Sequence, residues 1–118
     1  MVKKGGDIVL NNVVLVGRLI ETPCLETKDG KNFAKATIKV PRNFKNEQGE
    51  YDVDYIDIYL YNDLAKNACD YCEKEDIIGV KGRIQVNSGG ENHPDYPKET
   101  IIIAEKITYL SSNKTKKD

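Results

Sequence analysis

The fold is decided by the stretch Tyr51-Asp52-Val53-Asp54-Tyr55-Ile56-Asp57-Ile58-Tyr59-Leu60-Tyr61, in which side-chain character alternates. Successive side chains of a β-strand point to opposite faces, so this alternation is typical of a strand with one face on a core. The even positions carry aliphatic residues from Ile56 onward, which are Ile56, Ile58 and Leu60. The odd positions carry four tyrosines, which are Tyr51, Tyr55, Tyr59 and Tyr61. The sequence therefore predicts a strand with an aliphatic face on the core and a tyrosine face turned outward.

The tyrosine face has two interpretations. Aromatic rings on an open sheet face are what a protein uses to stack unpaired nucleic-acid bases. Tyrosine is also a favourable strand residue, because its amphipathic ring suits a half-buried position. The stretch by itself leaves both interpretations open.

Length and composition limit the possible classes. A chain of 118 residues, 31% of them charged, is long enough for one globular domain with one core. It contains no run of 18 apolar residues, so we expect no membrane span. No apolar segment of 7–15 residues follows the basic start at 1–7 before polar residues intervene, so we expect no signal peptide and a cytoplasmic protein.

The charge balance is nearly neutral. The chain has 18 basic and 19 acidic residues and a net charge of −1. A nucleic-acid binder usually shows a basic patch, but the distribution of charge matters more than its sum. The balance therefore neither indicates nor excludes a nucleic-acid partner.

The three cysteines are Cys24, Cys69 and Cys72, and an odd count without a secretion signal favours reduced thiols. A zinc site built from them and the single histidine, His93, would have one closely spaced ligand pair where structural sites usually have two. We therefore expect no metal and no cofactor, with Cys69 and Cys72 serving as small core residues. No nucleophile–base pair or phosphate loop is recognisable, so we expect no catalytic residue and no enzymatic activity.

The remaining segments complete an all-β pattern. Strands are predicted at 8–20, 33–40, 51–61, 77–86 and 99–110, with Gly17 marking a bend in the first. A short helix is predicted at 62–74, capped by Asn62 or Asp63. Three strands, one helix and two strands are the order of the five-stranded OB-fold barrel, in which the small helix lies between strands three and four.

The connection at 41–50 is polar apart from a single aromatic residue, Phe44. A large apolar ring in a polar loop either folds back onto the core or is available to a ligand. This segment alone leaves both possibilities open.

Several segments together resemble the bacterial single-stranded DNA-binding proteins. They are Asn12-Val13-Val14-Leu15-Val16-Gly17-Arg18-Leu19, Asn43-Phe44 with Gln48-Gly49-Glu50, Asp54-Tyr55-Ile56, Leu64-Ala65, and Gly79-Val80-Lys81-Gly82-Arg83-Ile84-Gln85. The similarity spans residues 8–110. We therefore expect an OB-fold single-stranded DNA-binding domain at 1–110, followed by a short polar tail at 111–118.

The resemblance implies sequence-independent binding of single-stranded DNA by a homo-oligomer, usually a homotetramer. The base-stacking aromatics of the family match Phe44, Tyr55 and Tyr61 here. A fourth stacking aromatic lies just after the fourth strand in the family, but residues 86–90 contain no aromatic ring. Tyr96, further along the loop, is a candidate replacement.

Further contacts are expected around these rings. Tyr51 and Tyr59 lie on the same predicted face and would extend the stacking surface. Five basic residues are expected to neutralise phosphates, and these are Lys35, Lys39, Arg42, Lys45 and Arg83. Arg18 and Lys81 could serve an interface instead. Asp57 lies between Tyr55 and Tyr59 and repels phosphate, and the sequence offers no reason for it.

The first strand is apolar on both faces, and a single barrel covers only one, so we expect a homotetramer or a homodimer. The chain ends without the long linker and acidic tip through which cellular family members recruit protein partners, so we do not expect those partners. A phage, mobile-element or accessory member acting in DNA replication, recombination or repair would fit. The alternative is a primosome-type OB-fold interaction protein with weak DNA affinity.

Overall fold

A computed structural model describes residues 9–87 and 99–111 of the chain. These residues form six strands and one helix, in the order β1 (Val13–Leu19), β2 (Glu26–Lys28), β3 (Lys31–Lys45), β4 (Tyr51–Tyr61), α1 (Asn62–Tyr71), β5 (Ile77–Asn87) and β6 (Glu99–Ser111). The sheet order is β1-β5-β6-β4-β3-β2, and an additional pairing of β1 with β3 closes the barrel. The predicted all-β class and five-stranded OB-fold order are confirmed, with β2 as a short addition beside β3.

The strands pair antiparallel except at one seam. There β4 runs parallel to β6, and only two residue pairs join them, Ile58 with Ile102 and Tyr59 with Ile103. By contrast β3 and β4 stay paired along most of their length, from Phe33 opposite Tyr61 to Lys45 opposite Tyr51. Within residues 9–87 and 99–111, the segment of β4 before Ile58 therefore has β3 on one side and an open edge on the other.

The core is built from the aliphatic faces of the strands. The largest fully buried side chains are Leu19, Ile38, Ile58, Leu60 and Val80. Burying one such side chain contributes about 1.5–3 kcal/mol relative to leaving it exposed. The predicted aliphatic face of the tyrosine strand is confirmed, since its central residues Ile58 and Leu60 are both within this core.

The helix α1 packs on the small residues of β3. Ala65 and Ala68 are its buried residues, and they join a cluster that includes Ala34 and Ala36. The predicted side-chain cap was wrong: Tyr61 occupies the N-cap position, and no side chain caps the helix. The reason is that β4 runs directly into the helix through Asn62, whose φ is 58°.

Two parts of the sheet differ from the sequence prediction. The strand β2 was not predicted, and it is three exposed residues paired to β3 across the predicted turn at Asp29 and Gly30. The strand β3 continues to Lys45, where a loop was predicted from Pro41 onward. Its ladder is irregular between Pro41 and Lys45, which is where a proline lacking an N–H can be accommodated.

Two glycines allow strands to approach closely. A Cβ at Gly17 would lie 3.0 Å from atoms of Ile38, Lys39 and Val40, where β1 passes from β5 to β3. A Cβ at Gly82 would clash with the carbonyl oxygen of Ile103, at an irregularity in the β5–β6 ladder. The sharp curvature of the barrel therefore depends on the absence of side chains at these positions.

Of the cysteines, Cys72 is buried in the core as expected, Cys69 is partly buried, and Cys24 is exposed. No three of the described His, Cys, Asp and Glu residues are grouped so that they could share a metal ion. His93 lies outside the described residues. Across residues 9–87 and 99–111, no helix has both the length and the apolar character that a membrane crossing requires.

Candidate nucleic-acid interface

The outer face of β3 and β4 is made of four cross-strand rows. From the helix end to the hairpin end the rows are Phe33 opposite Tyr61, Lys35 opposite Tyr59, Thr37 opposite Asp57, and Lys39 opposite Tyr55. We call these eight side chains the platform. Neighbouring rows are about 6.8 Å apart, because two residues of a strand separate them. The platform therefore carries two rows that pair a lysine with a tyrosine, one on each side of the Thr37–Asp57 row, and an aromatic row at the helix end.

The rings of the platform differ in exposure. Tyr55 is 64% exposed and Tyr61 is 42% exposed, whereas Tyr59 is half-buried. A tyrosine that serves only as a half-buried strand residue would be less exposed than Tyr55 is. Tyr59 thus fits the interpretation as a half-buried strand residue. Tyr55 and Tyr61 fit the interpretation as exposed rings on which a base could stack.

The lysines of the platform are free of acidic partners. Lys35 and Lys39 are exposed, and neither forms an ion pair with any residue in the described parts of the chain. Each lies directly opposite a tyrosine, Tyr59 and Tyr55 respectively. Their ammonium groups are therefore available to an anionic ligand lying along the rings.

The ends of β3 and β4 form an arm that extends the platform. Phe44 is 60% exposed and Tyr51 is 55% exposed, so Phe44 does not fold back onto the core. Lys45 lies opposite Tyr51, with its ammonium nitrogen 5.8 Å from the ring centroid, which is within cation–π range. The arm thus carries two more exposed rings and one more cation.

The turn of the arm is held by Asn46. Its side-chain oxygen accepts hydrogen bonds from the backbone N–H groups of Gln48 and Glu50, both at 2.9 Å. Its amide nitrogen donates to Asp52 at 3.0 Å, and Gly49 adopts a φ of 80°. These contacts fix the hairpin and thereby the positions of the rings on both of its strands.

Arg42, which the sequence assigned to phosphate, is engaged with acidic residues. Its Nε and Nη2 donate to the carboxylate of Asp54 at 3.1 and 2.9 Å, and Nη1 lies 3.8 Å from Asp52. The hydrogen bond that Arg42 donates holds the pKa of the Asp54 carboxyl below its usual range, and the same bond raises the pKa of Arg42. A phosphate would have to compete with this bidentate pair.

Arg83 lies on β5, away from the platform strands. Its Nη1 donates to Gln85 at 2.7 Å, and its Nε lies 3.6 Å from Glu105. Lys81 shares the same carboxylate at 3.7 Å. Arg18 donates to the backbone oxygen of Glu75 at 2.9 Å. The platform and arm thus bring together eight of the ten predicted site residues, leaving Arg42 paired and Arg83 on another strand.

A cleft runs beside the platform along the open edge of β4. It has a volume of about 290 Å³ and lies between Tyr55, Asp57 and Tyr59 on one side and Ile84 and Ile102 on the other. The cleft exists because β4 pairs with β6 only from Ile58 onward. Beyond the tyrosines, the cleft is lined by the aliphatic residues Ile84, Ile101 and Ile102 together with Glu99 and Thr100.

Two features of the platform were missed or unexplained by sequence reasoning. Phe33 lies opposite Tyr61 and is partly buried. It is an odd-numbered residue of the same strand as Lys35 and Lys39, and this shared face could have identified it as a platform residue. Asp57 accepts a hydrogen bond of 2.6 Å from the hydroxyl of Thr37. Tyr96 and most of the segment 86–90 lie outside the described residues.

Comparisons with known proteins agree with this architecture. The family model described as the single-strand binding protein family matches residues 10–110. Single-stranded DNA-binding protein B of Bacillus subtilis (strain 168) is 36% identical over 103 residues, which are 86% of this chain and 91% of that protein. The single-stranded DNA-binding protein of Halalkalibacterium halodurans is 39% identical over 103 residues, covering 86% of this chain and 61% of that protein.

Solved structures give the same result for the fold. The crystal structure of the wild-type single-stranded DNA binding protein from Thermus aquaticus superposes with a TM-score of 0.74 at 25% identity. The match covers 89% of this chain but only 52% of that one. The Plasmodium falciparum SSB complex with ssDNA superposes with a TM-score of 0.72 at 17% identity, over 90% of this chain and 99% of that one. On the extent of the family match and the identity to its relatives, the chain belongs to the single-strand binding protein family.

Proposed function

We propose that this protein binds single-stranded DNA, with bases stacked on the exposed rings of the platform and arm and phosphates held by the adjacent lysines. The observation that carries the proposal is the cross-strand pairing of two exposed tyrosines, Tyr55 and Tyr51, with Lys39 and Lys45, which form no ion pair among the described residues. Stacking accepts any base, because every base has a π-face. The relatives are named as binding proteins, and the proposed activity is likewise binding, not catalysis.

The roles divide by position. Tyr55, Tyr61 and Phe44 are proposed as the main stacking residues, and Tyr51 and Tyr59 as secondary ones. Phe33 joins them, because it lies in the same row as Tyr61. Lys35, Lys39 and Lys45 are proposed as the main phosphate contacts. Arg42 and Arg83 stay predictions, since both are engaged with acidic side chains.

The test is a pair of matched tyrosine variants. Tyr55→Ala should weaken binding to oligo-dT by about fivefold to a hundredfold, since a stacked base is worth about 1–3 kcal/mol. Tyr71→Ala is the control, because Tyr71 is 65% exposed but lies at the end of α1, off the platform. Binding can be followed by quenching of tyrosine fluorescence, since the chain has no tryptophan.

Two outcomes would reject the proposal. One is the absence of oligo-dT binding at low salt. The other is equal weakening by both tyrosine substitutions. Weak DNA binding that Tyr55→Ala leaves unchanged would favour the alternative, a primosome-type interaction protein.

We also propose that the protein acts as a homo-oligomer, a tetramer or a dimer, joined through the outer face of β1. Val14 and Val16 are 69% and 52% exposed on that face. Val16 lies opposite Gly79, and the side chain of Leu110, itself 51% exposed, lies beside Gly79. These exposed apolar side chains lie next to the ion pair of Lys81, which is opposite Val14, and Glu105, and they are better covered by a second copy than left in water.

The cellular setting stays a proposal. Single-stranded DNA is exposed during replication, recombination and repair, and the protein would act in one of these processes in the cytoplasm. The boundary between a binding domain at 1–110 and a tail at 111–118 is part of the same proposal.

A further inference from the structure

Asp57 is the one acidic side chain of the platform, and it occupies its middle. It is exposed, lies between Tyr55 and Tyr59 on β4, and lines the cleft at the open edge of that strand. A carboxylate in this position repels every phosphate that approaches the neighbouring lysines. If the surface contacted only the phosphate backbone, a neutral residue at this position would give a higher affinity for DNA.

The carboxylate is held in one orientation. The hydroxyl of Thr37, directly across the ladder, donates to its Oδ1 at 2.6 Å. No lysine or arginine in the described residues forms an ion pair with Asp57, although Lys35 and Lys39 occupy the two adjacent rows. Its charge is therefore not neutralised locally, and Oδ2 remains able to accept a hydrogen bond from a ligand.

The rings on either side determine what can reach that oxygen. A base stacked on Tyr55 or Tyr59 would bring its edge to the level of Asp57, since these residues are neighbours on one face of the strand. Unpaired bases are read on their Watson–Crick edges, and carboxylates accept hydrogen bonds from the amino group of cytosine. Thymine carries no exocyclic amino group, and its N3–H lies between two carbonyl oxygens that repel a carboxylate.

We propose that Asp57 gives the platform a base preference, favouring bases with an exocyclic amino group on the Watson–Crick edge over thymine. This inference rests on the proposed single-stranded DNA binding, and it adds selectivity to an activity that otherwise accepts any base. Asp57 accepts the amino hydrogen, Thr37 orients the carboxylate, and Tyr55 and Tyr59 position the base.

The experiment compares oligo-dC and oligo-dT of equal length, at mildly alkaline pH so that cytosine stays unprotonated. The two ligands have the same backbone charge, so the ratio of their affinities removes the phosphate contribution. The readout is how this ratio changes between wild type and Asp57→Ala, because homopolymers also differ in their own flexibility. We expect Asp57→Ala to lower the dC-to-dT ratio about fivefold, which corresponds to about 1 kcal/mol.

The same variant should tighten binding to oligo-dT, because the repulsion between Asp57 and phosphate is removed. Asp70→Ala is the control for net charge, since Asp70 is exposed on α1 and away from the platform. It should leave the ratio unchanged. Thr37→Val keeps the carboxylate but removes its orienting hydrogen bond, and it should lower the ratio by less than Asp57→Ala.

The outcomes separate the inference from the proposed function. A ratio that Asp57→Ala leaves unchanged, while Tyr55→Ala still weakens both ligands, overturns the base preference alone. If Asp57→Ala lowers thermal stability but leaves the dC-to-dT ratio unchanged, the base preference is also overturned. The hydrogen bond between Thr37 and Asp57 would then serve only the stability of the fold. A wild type that binds neither oligomer overturns both proposals.

Discussion

At the scale of single residues, Asp76 shows how one buried carboxylate fixes a connection. It is 4% exposed and lies in the turn between α1 and β5. Its Oδ2 accepts a hydrogen bond from the backbone N–H of Glu73 at 2.8 Å, and its backbone oxygen accepts from Leu19 at 2.8 Å. The residue thus ties the end of the helix to the start of β5 and to the end of β1.

We predict that Asp76→Ala lowers the free energy of unfolding by about 1–3 kcal/mol, because the Glu73 N–H loses a buried acceptor. Asp76→Asn keeps a carbonyl oxygen at this position and should cost less. Urea unfolding of the three proteins measures both differences. Equal stability of wild type and Asp76→Ala would show that water replaces the carboxylate without cost.

The same scale shows what the sequence could and could not predict about the site. Because the odd-numbered residues of β4 share one face, the sequence correctly predicted that Asp57 lies on the tyrosine face. Its hydrogen-bond partner, Thr37, could not be identified, because the register between two strands depends on the hairpin that joins them. That hairpin contains an irregular ladder between Pro41 and Lys45, and Pro41 does not by itself indicate which residues of the two strands lie opposite each other.

At the scale of elements, the strand β3 carries two kinds of basic residue. Lys35 and Lys39 lie on the platform without an ion pair among the described residues, whereas Arg42 is held by Asp54 and Asp52. A residue that is already paired releases fewer counterions when DNA binds than one that is free. The two kinds of residue should therefore contribute differently to the salt dependence of binding.

We predict that Lys35→Gln reduces the slope of log affinity against log salt by about 0.7, the value for one phosphate contact with a single strand. Arg42→Gln should reduce it by less. Lys66→Gln, on the exposed side of α1, is the control and should leave the slope unchanged. A full reduction by Arg42→Gln would mean that the pair with Asp54 opens to admit a phosphate, as the sequence-based assignment requires.

Elements differed in how well their sequences predicted them. The bounds of β4 matched the prediction, because side-chain character alternates along Tyr51–Tyr61 and the residues on either side do not continue the pattern. The strand β2 was missed, because its three residues are all exposed and carry no apolar periodicity. The extension of β3 past Pro41 was missed because proline normally ends a central strand, whereas here the hairpin continues into an exposed arm.

At the scale of the whole molecule, no described part of the chain covers Val14 and Val16 on the outer face of β1. We predict that Val14→Lys lowers the subunit number measured by sedimentation, because a buried ammonium group in an apolar interface is unfavourable. Leu25→Lys is the control, since Leu25 is 38% exposed but lies outside that face. A wild-type protein that sediments as a monomer at micromolar concentration would contradict the proposed assembly.

The cleft beside the platform also belongs to this scale. It is formed by residues of β4, β5 and β6, and it depends on the short parallel contact between β4 and β6. Strand patterns in the sequence predicted that these three strands exist. They did not predict how far two of them stay paired, which is set by how the whole barrel closes.

The position of β5 between β1 and β6 also affects the order in which the barrel can form. The hairpin of β3 and β4 joins neighbouring segments and can form early, whereas β1 must wait for β5, which is synthesised much later. Until β5 leaves the ribosome, the apolar strand beginning at Val13 has no partner along most of its length. The nascent chain therefore carries an unpaired, aggregation-prone strand through most of its synthesis, and closure of the barrel is a late step.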